Sequence, residues 1–183
     1  LKQVIFSCKK SVPNLFDQII DLNLPNLKVI AEEKRESKAG VLSGVPVKGY
    51  LDLVIYDGKI PKAVIDLKFT GFNSRKDAIS TSSDYQLAVY SRLLNDDSIA
   101  RAYFIIKENV LISETNFLFK KALAVKKLEN RDIIIAEQIK EFDNAYSERK
   151  KEILGGKIEV GIEEFLEDLE FFSESHFKEN PSW

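Results

Sequence analysis

The sequence predicts an α/β domain in which a central mixed β-sheet is flanked by helices. Residues 47–56 alternate apolar and polar side chains with the period of a strand, and residues 63–69 form a second β-rich run. The dipeptide Asp57-Gly58 between them is typical of a tight hairpin turn. Apolar residues at helical spacing follow in residues 84–94. Strands and helices that alternate in this way favour an α/β architecture with a mixed sheet.

In the N-terminal half we expect one helix and three strands. Residues 11–14 (Ser-Val-Pro-Asn) are typical of a helix start, and residues 24–26 (Leu-Pro-Asn) of a helix end. Residues 27–37 begin apolar and become charged, as in a strand that runs outward from a core. Gly40, Gly44 and Pro46 mark turns. Alternation in the strand 47–56 predicts one face with Val47, Gly49, Leu51, Leu53 and Ile55 and another with Lys48, Tyr50, Asp52, Val54 and Tyr56.

In the C-terminal half we expect two further strands and three helices. The predicted elements are, in chain order, a polar loop at 71–83, a helix at 84–94, strands at 102–106 and 110–112, a segment at 117–127 that fits either strand or helix, and helices at 132–154 and 162–172. Gly155-Gly156 is expected to end the longest helix.

Composition narrows the class of protein. The 183 residues carry 27 Lys and Arg against 29 Asp and Glu, and 44% are hydrophobic, which fits a globular chain. We expect a single domain over residues 1–183, with its core at about 27–115 and a helical C-terminal region at about 129–183. One Cys excludes a disulfide framework and a self-contained zinc cage. No apolar run approaches the roughly 20 residues of a membrane span, so we expect no membrane contact. The single Cys suggests a reducing compartment, so we expect a cytoplasmic location.

Three charged residues suggest a reactive site. Asp52 lies in one predicted strand, and Asp66 and Lys68 lie on the same face of the next because side chains two apart on a strand point the same way. A hairpin at residues 57–58 can bring Asp52 alongside Asp66. Two carboxylates are oxygen ligands of the kind that Mg²⁺ and Mn²⁺ prefer, and such an ion can activate water for attack on a phosphodiester. The Lys68 ammonium could stabilise the charge that develops.

An alternative interpretation is an incidental ion pair on a solvated strand face, since surface pairs are common and contribute only about 0–1 kcal/mol. Against it, Asp66 is embedded in the apolar run Ala-Val-Ile-Asp-Leu-Lys-Phe of residues 63–69. A carboxylate inside such a run costs free energy unless it is paired.

Three short motifs resemble a known family. Residues 49–52 (Gly-Tyr-Leu-Asp), 65–68 (Ile-Asp-Leu-Lys) and 86–90 (Gln-Leu-Ala-Val-Tyr) resemble the G-x-x-D, D/E-x-K and Q-x-x-x-Y motifs of the PD-(D/E)XK nuclease superfamily, in its RecB/Cas4-like exonuclease branch. The resemblance covers roughly residues 27–106. It implies a restriction-endonuclease-like core, encoded by a bacterium or a phage.

The resemblance also implies a role for each motif residue. Asp52 and Asp66 would bind Mg²⁺ or Mn²⁺ together with the backbone carbonyl of Leu67, and Lys68 would be the catalytic lysine. Gln86 and Tyr90, four residues apart on one helix face, would complete the catalytic set and contact the DNA backbone. Glu33 occupies a position where the family often has a carboxylate.

Basic residues supply candidates for phosphate contacts. We expect Arg75 and Lys76, in the predicted loop beside the site, to bind DNA. Further candidates are Lys120, Lys121, Lys126, Lys127, Arg149, Lys150 and Lys151.

Two features depart from the family pattern. Many members have a metal-binding His upstream of the first Asp, but the one His here is His176. Some members hold an iron–sulfur cluster with one Cys before the core and three after it, and here only Cys8 is present. The resemblance therefore implies an iron–sulfur cluster only if the natural chain continues into further Cys residues.

These observations together predict a Mg²⁺- or Mn²⁺-dependent deoxyribonuclease, an exonuclease of DNA recombination, repair or phage DNA metabolism, acting with a helicase or recombination partner. Two alternatives stay open: a structure-specific endonuclease of the same fold, and a non-catalytic DNA-binding or scaffold module of a helicase–nuclease complex. An Asp66–Lys68 pair packed away from solvent would favour the non-catalytic module.

Overall fold

The structure is a computed structural model that describes residues 2–36, 48–126 and 131–157. Four helices are described: α1 (Lys2–Ile20), α2 (Phe72–Ser80), α3 (Tyr85–Leu93) and α4 (Arg131–Leu154). Six strands are described: β1 (Leu27–Glu36), β2 (Lys48–Asp57), β3 (Ile60–Lys68), β4 (Ala100–Ile105), β5 (Val110–Ser113) and β6 (Leu123–Ala124). The chain divides into two compact units, residues 1–147 and 148–183.

The strands of the first unit form one mixed sheet in the order β1-β2-β3-β4-β5-β6. Strands β1, β2 and β3 form an antiparallel meander, β4 lies parallel to β3, β5 is antiparallel to β4, and β6 is parallel to β5. Helices α2 and α3 fill the connection between β3 and β4, as a parallel pair requires. The predicted α/β architecture with a central mixed sheet and flanking helices is confirmed.

Two apolar clusters cover the two faces of this sheet. The first packs α2 and α3 on the sheet through residues such as Ile79, Leu87, Leu93 and Tyr103. The second packs α1 on the opposite face through residues such as Leu15, Ile19, Phe104 and Leu111. Successive residues of β4 alternate between the clusters because neighbouring side chains on a strand point to opposite faces.

A buried polar group joins the sheet to α4. Arg101 on β4 donates to both carboxylate oxygens of Glu114, with the shortest contacts at 2.8 Å, and to Oε1 of Gln138 on α4 at 2.6 Å. All three residues are buried. Because a buried ion must be paired, this contact favours one placement of α4 on the sheet.

In the second unit, the structure describes residues 148–157. Arg149 pairs with Glu152 at 3.1 Å and Lys151 with Glu148 at 3.0 Å along the last turns of α4. Gly155 and Gly156 follow the helix, and Gly156 has a φ of 81°, a left-handed conformation that favours glycine. The predicted end of the long helix is therefore confirmed. No helix in the described parts of the chain is long and apolar enough to cross a membrane.

The predicted helix start at residues 11–14 was wrong, because α1 begins at Lys2 and contains Pro13. A proline inside a helix lacks the N–H of the backbone ladder and usually breaks the helix. Here Ser11, Leu15 and Ile19 are buried four residues apart on one face, and Asn14 donates to the carbonyl and side-chain oxygens of Asn109 at 3.2 and 2.9 Å. These contacts hold the helix to the sheet on both sides of the proline.

The predicted loop at residues 71–83 was also wrong, because α2 occupies Phe72–Ser80. Its sequence is mostly polar, with only Ile79 fully buried, so it carries little of the apolar periodicity that indicates a helix. Gly71, with a φ of 101°, precedes it and accepts a backbone hydrogen bond from Arg75. The ambiguous segment 117–127 contains turns and the two-residue strand β6 in its described part.

The predicted faces of β2 are corrected at two positions, Gly49 and Leu51. A Cβ on Gly49 would meet Leu93 of the first cluster. Leu51 packs with Val54 in the first cluster, whereas Leu53 and Ile55 belong to the second. The alternation changes because regular pairing with β1 is interrupted at Asp52, which lies between the paired residues Leu51 and Leu53. The expected turns at residues 40, 44 and 46, Lys127, the helix 162–172 and His176 lie outside the described residues.

Candidate active site

Asp66 is a buried carboxylate at the centre of the sheet. It lies on β3 with an exposed fraction of 1% and faces α3 rather than α1. Nζ of Lys68, two residues along the same strand, lies 2.8 Å from Oδ2 of Asp66, while the Lys68 side chain is 26% exposed. The pair is therefore not a solvated surface pair, because Asp66 is buried. It is also not packed away from solvent, because the Lys68 side chain is partly exposed.

Two residues of α3 hold the other oxygen of this carboxylate. Gln86 Nε2 donates to Oδ1 of Asp66 at 2.9 Å, and the Tyr90 hydroxyl donates to the same oxygen at 3.1 Å. Gln86 Nε2 also donates to the Tyr90 hydroxyl at 2.9 Å. Their spacing of four residues places both side chains on the face of α3 that covers β3. The structure therefore brings the predicted residues Asp66, Lys68, Gln86 and Tyr90 together.

Asp52 lies where β2 and β3 separate. Ladder pairing between these strands ends at Leu53 and Ile65, and beyond this point Oδ2 of Asp52 accepts a hydrogen bond from the backbone N–H of Leu67 at 2.8 Å. The carbonyl of Leu67 faces the same strand edge as its N–H, because both groups of one strand residue point the same way. Two carboxylates and one carbonyl thus border this opening. We call Asp52, Asp66, Leu67, Lys68, Gln86 and Tyr90 the carboxylate site.

The electrostatics of the site favour a cation beside Asp66. Burial raises the pKa of Asp66 above its ordinary value, and the Asp52 charge adds to this, while Lys68 and Tyr90 oppose it. Burial raises the pKa of Tyr90 to about 12, so its hydroxyl keeps its proton at neutral pH. Among the described residues, Oδ2 of Asp66 has no well-directed hydrogen bond despite its contact with Lys68.

The donor set fits a hard divalent cation. Carboxylate and carbonyl oxygens are the ligands that Mg²⁺ and Mn²⁺ prefer, and the buried Oδ2 of Asp66 has spare capacity to accept. In the part of the chain that the structure describes, no three His, Cys, Asp or Glu side chains converge. An ion held by Asp52 and Asp66 would therefore need further oxygen ligands from the Leu67 carbonyl, water or substrate.

The structure separates the basic residues into three groups. Arg75 lies on α2, with its guanidinium carbon 5.2 Å from the centroid of the Tyr103 ring beside the carboxylate site, and Lys76 is exposed on the same helix. Lys126 donates to Ser82, just before α3, at 2.6 Å. Lys120 and Lys121 lie away from this site, where Lys120 donates to the Phe117 carbonyl and Lys121 pairs with Asp21 of the α1 C-terminal turn. Arg149, Lys150 and Lys151 belong to the second unit.

Glu33 and Cys8 have other surroundings. The Glu33 carboxylate accepts from the Tyr56 hydroxyl at 2.7 Å and pairs with Arg35 at 2.5 Å. Cys8 is a half-buried free thiol on α1.

Sequence reasoning missed Asp84 and Tyr103. Asp84 caps α3 by accepting from the Leu87 N–H at 3.2 Å, and Tyr103 pairs across the sheet with Asp66. A polar residue directly before the helix pattern was a capping signal for Asp84. Tyr103 had no such signal, since its position beside Asp66 depends on which strand pairs with β3.

Comparisons with family models, with curated proteins and with solved structures found no significant match to this chain.

Proposed function

We propose that this protein is a metal-dependent DNA nuclease with a restriction-endonuclease-like core, related to the RecB/Cas4-like branch of the PD-(D/E)XK superfamily. The observation that supports it best is the environment of Asp66. A buried carboxylate is held by Lys68, Gln86 and Tyr90, and the carboxylate of Asp52 borders the adjacent opening between β2 and β3. The three motif segments that suggested the family thus meet around one carboxylate.

Each residue has a defined task in this proposal. Asp52, Asp66 and the Leu67 carbonyl would hold Mg²⁺ or Mn²⁺, and when bound such an ion supplies Lewis acidity toward water and toward a phosphate oxygen. Gln86 and Tyr90 fix the rotamer of Asp66 by donating to Oδ1, and Oδ2, which pairs with Lys68, would bind the ion. The partly exposed Lys68 ammonium donates to an oxygen of the scissile phosphate and stabilises its negative charge.

The proposed substrate is DNA. In this proposal Arg75, which lies outside the carboxylate site, contacts a DNA phosphate. Its guanidinium lies over the Tyr103 ring, whose neighbour on β3 is Asp66. Arginine recognises phosphate through paired N–H donors. The Nζ atom of Lys68 lies 6.0 Å from the centroid of the same ring, so Arg75 and Lys68 both border Tyr103.

The first prediction tests this function with Asp66→Asn. We expect the wild-type chain to cleave linear DNA with Mg²⁺ or Mn²⁺ and to stop when EDTA is added. Because Asp66→Asn removes a charged metal ligand, we expect the cleavage rate to fall about 10³-fold or more, equivalent to about 4 kcal/mol of barrier. Gel assays on linear duplex, single-stranded and circular DNA measure this rate.

The matched control is Asp17→Asn, which changes an exposed carboxylate on α1 at the opposite face of the sheet. It should leave cleavage at the wild-type rate. Cleavage that survives both EDTA and Asp66→Asn would overturn the proposal, and absence of wild-type cleavage on every substrate would favour a non-catalytic DNA-binding or scaffold module. Cleavage of covalently closed circles would identify an endonuclease rather than an exonuclease.

A further inference from the structure

Tyr103 is a fully buried tyrosine at the junction of β3, β4, α2 and α3. Its exposed fraction is 0%, and it pairs with Asp66 across the parallel β3–β4 ladder. Its side chain lies on the same face of the sheet as Leu87 and Tyr90 of α3. None of the three family motifs contains Tyr103, although it lies beside Asp66, the carboxylate around which the motifs meet.

The hydroxyl of Tyr103 connects the sheet to the first turn of α3. It donates to Oδ1 of Asp84 at 2.9 Å, and the same oxygen caps α3 by accepting from the Leu87 N–H at 3.2 Å. The Tyr103 oxygen also lies 3.4 Å from Oε1 of Gln86. One carboxylate oxygen therefore ties β4 to the helix end that carries Gln86, whose amide donates to Asp66.

The ring of Tyr103 lies near two cations, Lys68 of the carboxylate site and Arg75 of α2. The Arg75 guanidinium carbon lies 5.2 Å from the ring centroid and the Lys68 ammonium 6.0 Å. Cations at about this distance from an aromatic ring are attracted by its electron-rich face. Burial, together with the charge of Asp84, raises the pKa of the Tyr103 hydroxyl, so it stays a neutral donor at every working pH.

We propose that Tyr103 is a positioning residue of the nuclease, whose hydroxyl holds Gln86 over Asp66 through Asp84 and whose ring supports Lys68 and Arg75. This inference rests on the proposed function, since it assigns a task within the same site. Tyr103 acts through α3 and through the two cations and need not touch the substrate. Its two parts act separately: the hydroxyl sets the geometry of Asp66, and the ring sets the phosphate contacts.

The second prediction tests the hydroxyl with Tyr103→Phe, which keeps the ring. Since Gln86 loses its fixed position while Arg75 and Lys68 keep their support, we expect kcat to fall about tenfold with KM for DNA unchanged. The control is Tyr56→Phe, which removes another buried hydroxyl of the same apolar cluster, one that bonds Glu33 and Arg35 instead. Tyr56→Phe should lose comparable stability in urea unfolding and keep the wild-type kcat.

A double-mutant cycle shows whether Tyr103 acts through Asp84. Asp84→Ser keeps a capping oxygen for Leu87 but is too short to reach Tyr103, so adding Tyr103→Phe to it should change kcat by less than about twofold. Independent losses that multiply in the double variant would overturn the proposed route.

A measurement on the metal-free protein separates this inference from the proposed function. We expect Tyr103→Phe to shift the side-chain amide signals of Gln86 in ¹H–¹⁵N NMR spectra, and Tyr56→Phe to leave them in place. If the wild-type chain does not cleave DNA, the proposed function fails while these spectra still decide whether Tyr103 positions Gln86. Unchanged Gln86 signals in Tyr103→Phe would overturn the inference even in an active nuclease.

Discussion

Asp84 is a buried carboxylate with an incomplete set of hydrogen bonds. It is 4% exposed, and while Oδ1 accepts from Leu87 and Tyr103, Oδ2 has no partner among the described residues. Burial raises its pKa above the ordinary 3.8, and these hydrogen bonds and the Arg75 charge only partly oppose the effect. The folded chain therefore holds the Asp84 proton more tightly than the unfolded chain does.

The third prediction concerns pH and Asp84→Asn. A carboxyl whose pKa is raised on folding binds more protons in the folded state, so its contribution to the free energy of unfolding rises as the pH falls toward 3.8. Asn keeps an oxygen for Leu87 and Tyr103 but does not titrate. We expect the stability of the wild type relative to Asp84→Asn to increase as the pH falls from 7 toward 4, as measured by urea unfolding. A difference that is constant, or that decreases over this interval, would contradict the prediction.

The pairs of candidate residues that the sequence predicted lie within one strand or one helix. Asp66 and Lys68 share a strand face, and Gln86 and Tyr90 share a helix face, so the period of each element fixes each pair. Asp84 and Tyr103 are nineteen residues apart in the chain, and strand pairing and helix packing bring them together beside the same site. No short-range pattern contains that information.

Gly49 lies where β2 packs against α3. A Cβ at this position would lie 2.8 Å from Cδ1 of Leu93, which is buried. The glycine of the G-x-x-D segment leaves room for the buried Leu93 side chain, which would have to shift if the residue had a Cβ. This contact supports the helix that carries Gln86 and Tyr90.

The fourth prediction is that Gly49→Ala and Leu93→Val compensate each other. The extra methyl group overpacks the interface, so Gly49→Ala alone should lower the free energy of unfolding by about 1–2 kcal/mol. In a Leu93→Val background, which lacks the clashing Cδ1, the same change should cost about 0–0.5 kcal/mol. Urea unfolding of the four proteins of this cycle gives the coupling, and equal costs in both backgrounds would show that the contact is not limiting.

Among elements, prediction succeeded where packing on the sheet leaves a clear apolar period, as in α3 and in strands β1 to β5. Prediction failed for α2, whose polar residues are helical because the chain must cross from β3 to β4. It also failed for the first half of α1, where tertiary contacts override the proline signal. It also assigned Gly49 and Leu51 to the wrong face, since strand alternation assumes regular pairing and pairing is interrupted at Asp52. That interruption coincides with the opening of the candidate site.

The two faces of the sheet have different relations to the carboxylate site. Helix α3 packs on one face through the first apolar cluster, which surrounds Asp66, whereas α1 packs on the other through the second cluster. Leu87 on α3 and Leu111 on β5 are equally buried, with exposed fractions of 1%. They belong to different clusters, so comparing the same substitution at the two positions separates its effect on the free energy of unfolding from its effect on the geometry of the carboxylate site.

The fifth prediction compares Leu87→Ala with Leu111→Ala. Each leaves a cavity and should lower the free energy of unfolding by about 2–5 kcal/mol. Leu87 follows Gln86 directly, so its loss should also reduce the proposed DNA cleavage rate per folded molecule by about tenfold or more, while Leu111→Ala should retain at least about half of the rate. Urea unfolding and active-fraction-corrected cleavage assays measure both quantities. Equal rate losses would mean that the two clusters support the site alike.

The outer strand β1 limits association between molecules. Within the described sheet it forms one edge, and an exposed strand edge offers unpaired backbone groups to a second chain. Its outer half carries Glu32, Glu33, Lys34 and Arg35, and Glu32 has a φ of 53°, outside the extended conformation. Another strand laid along this edge would meet charged side chains and lose regular hydrogen bonds at Glu32. The free edge of β1 is thereby protected against edge-to-edge aggregation, while the strand keeps its pairing with β2 on its other side.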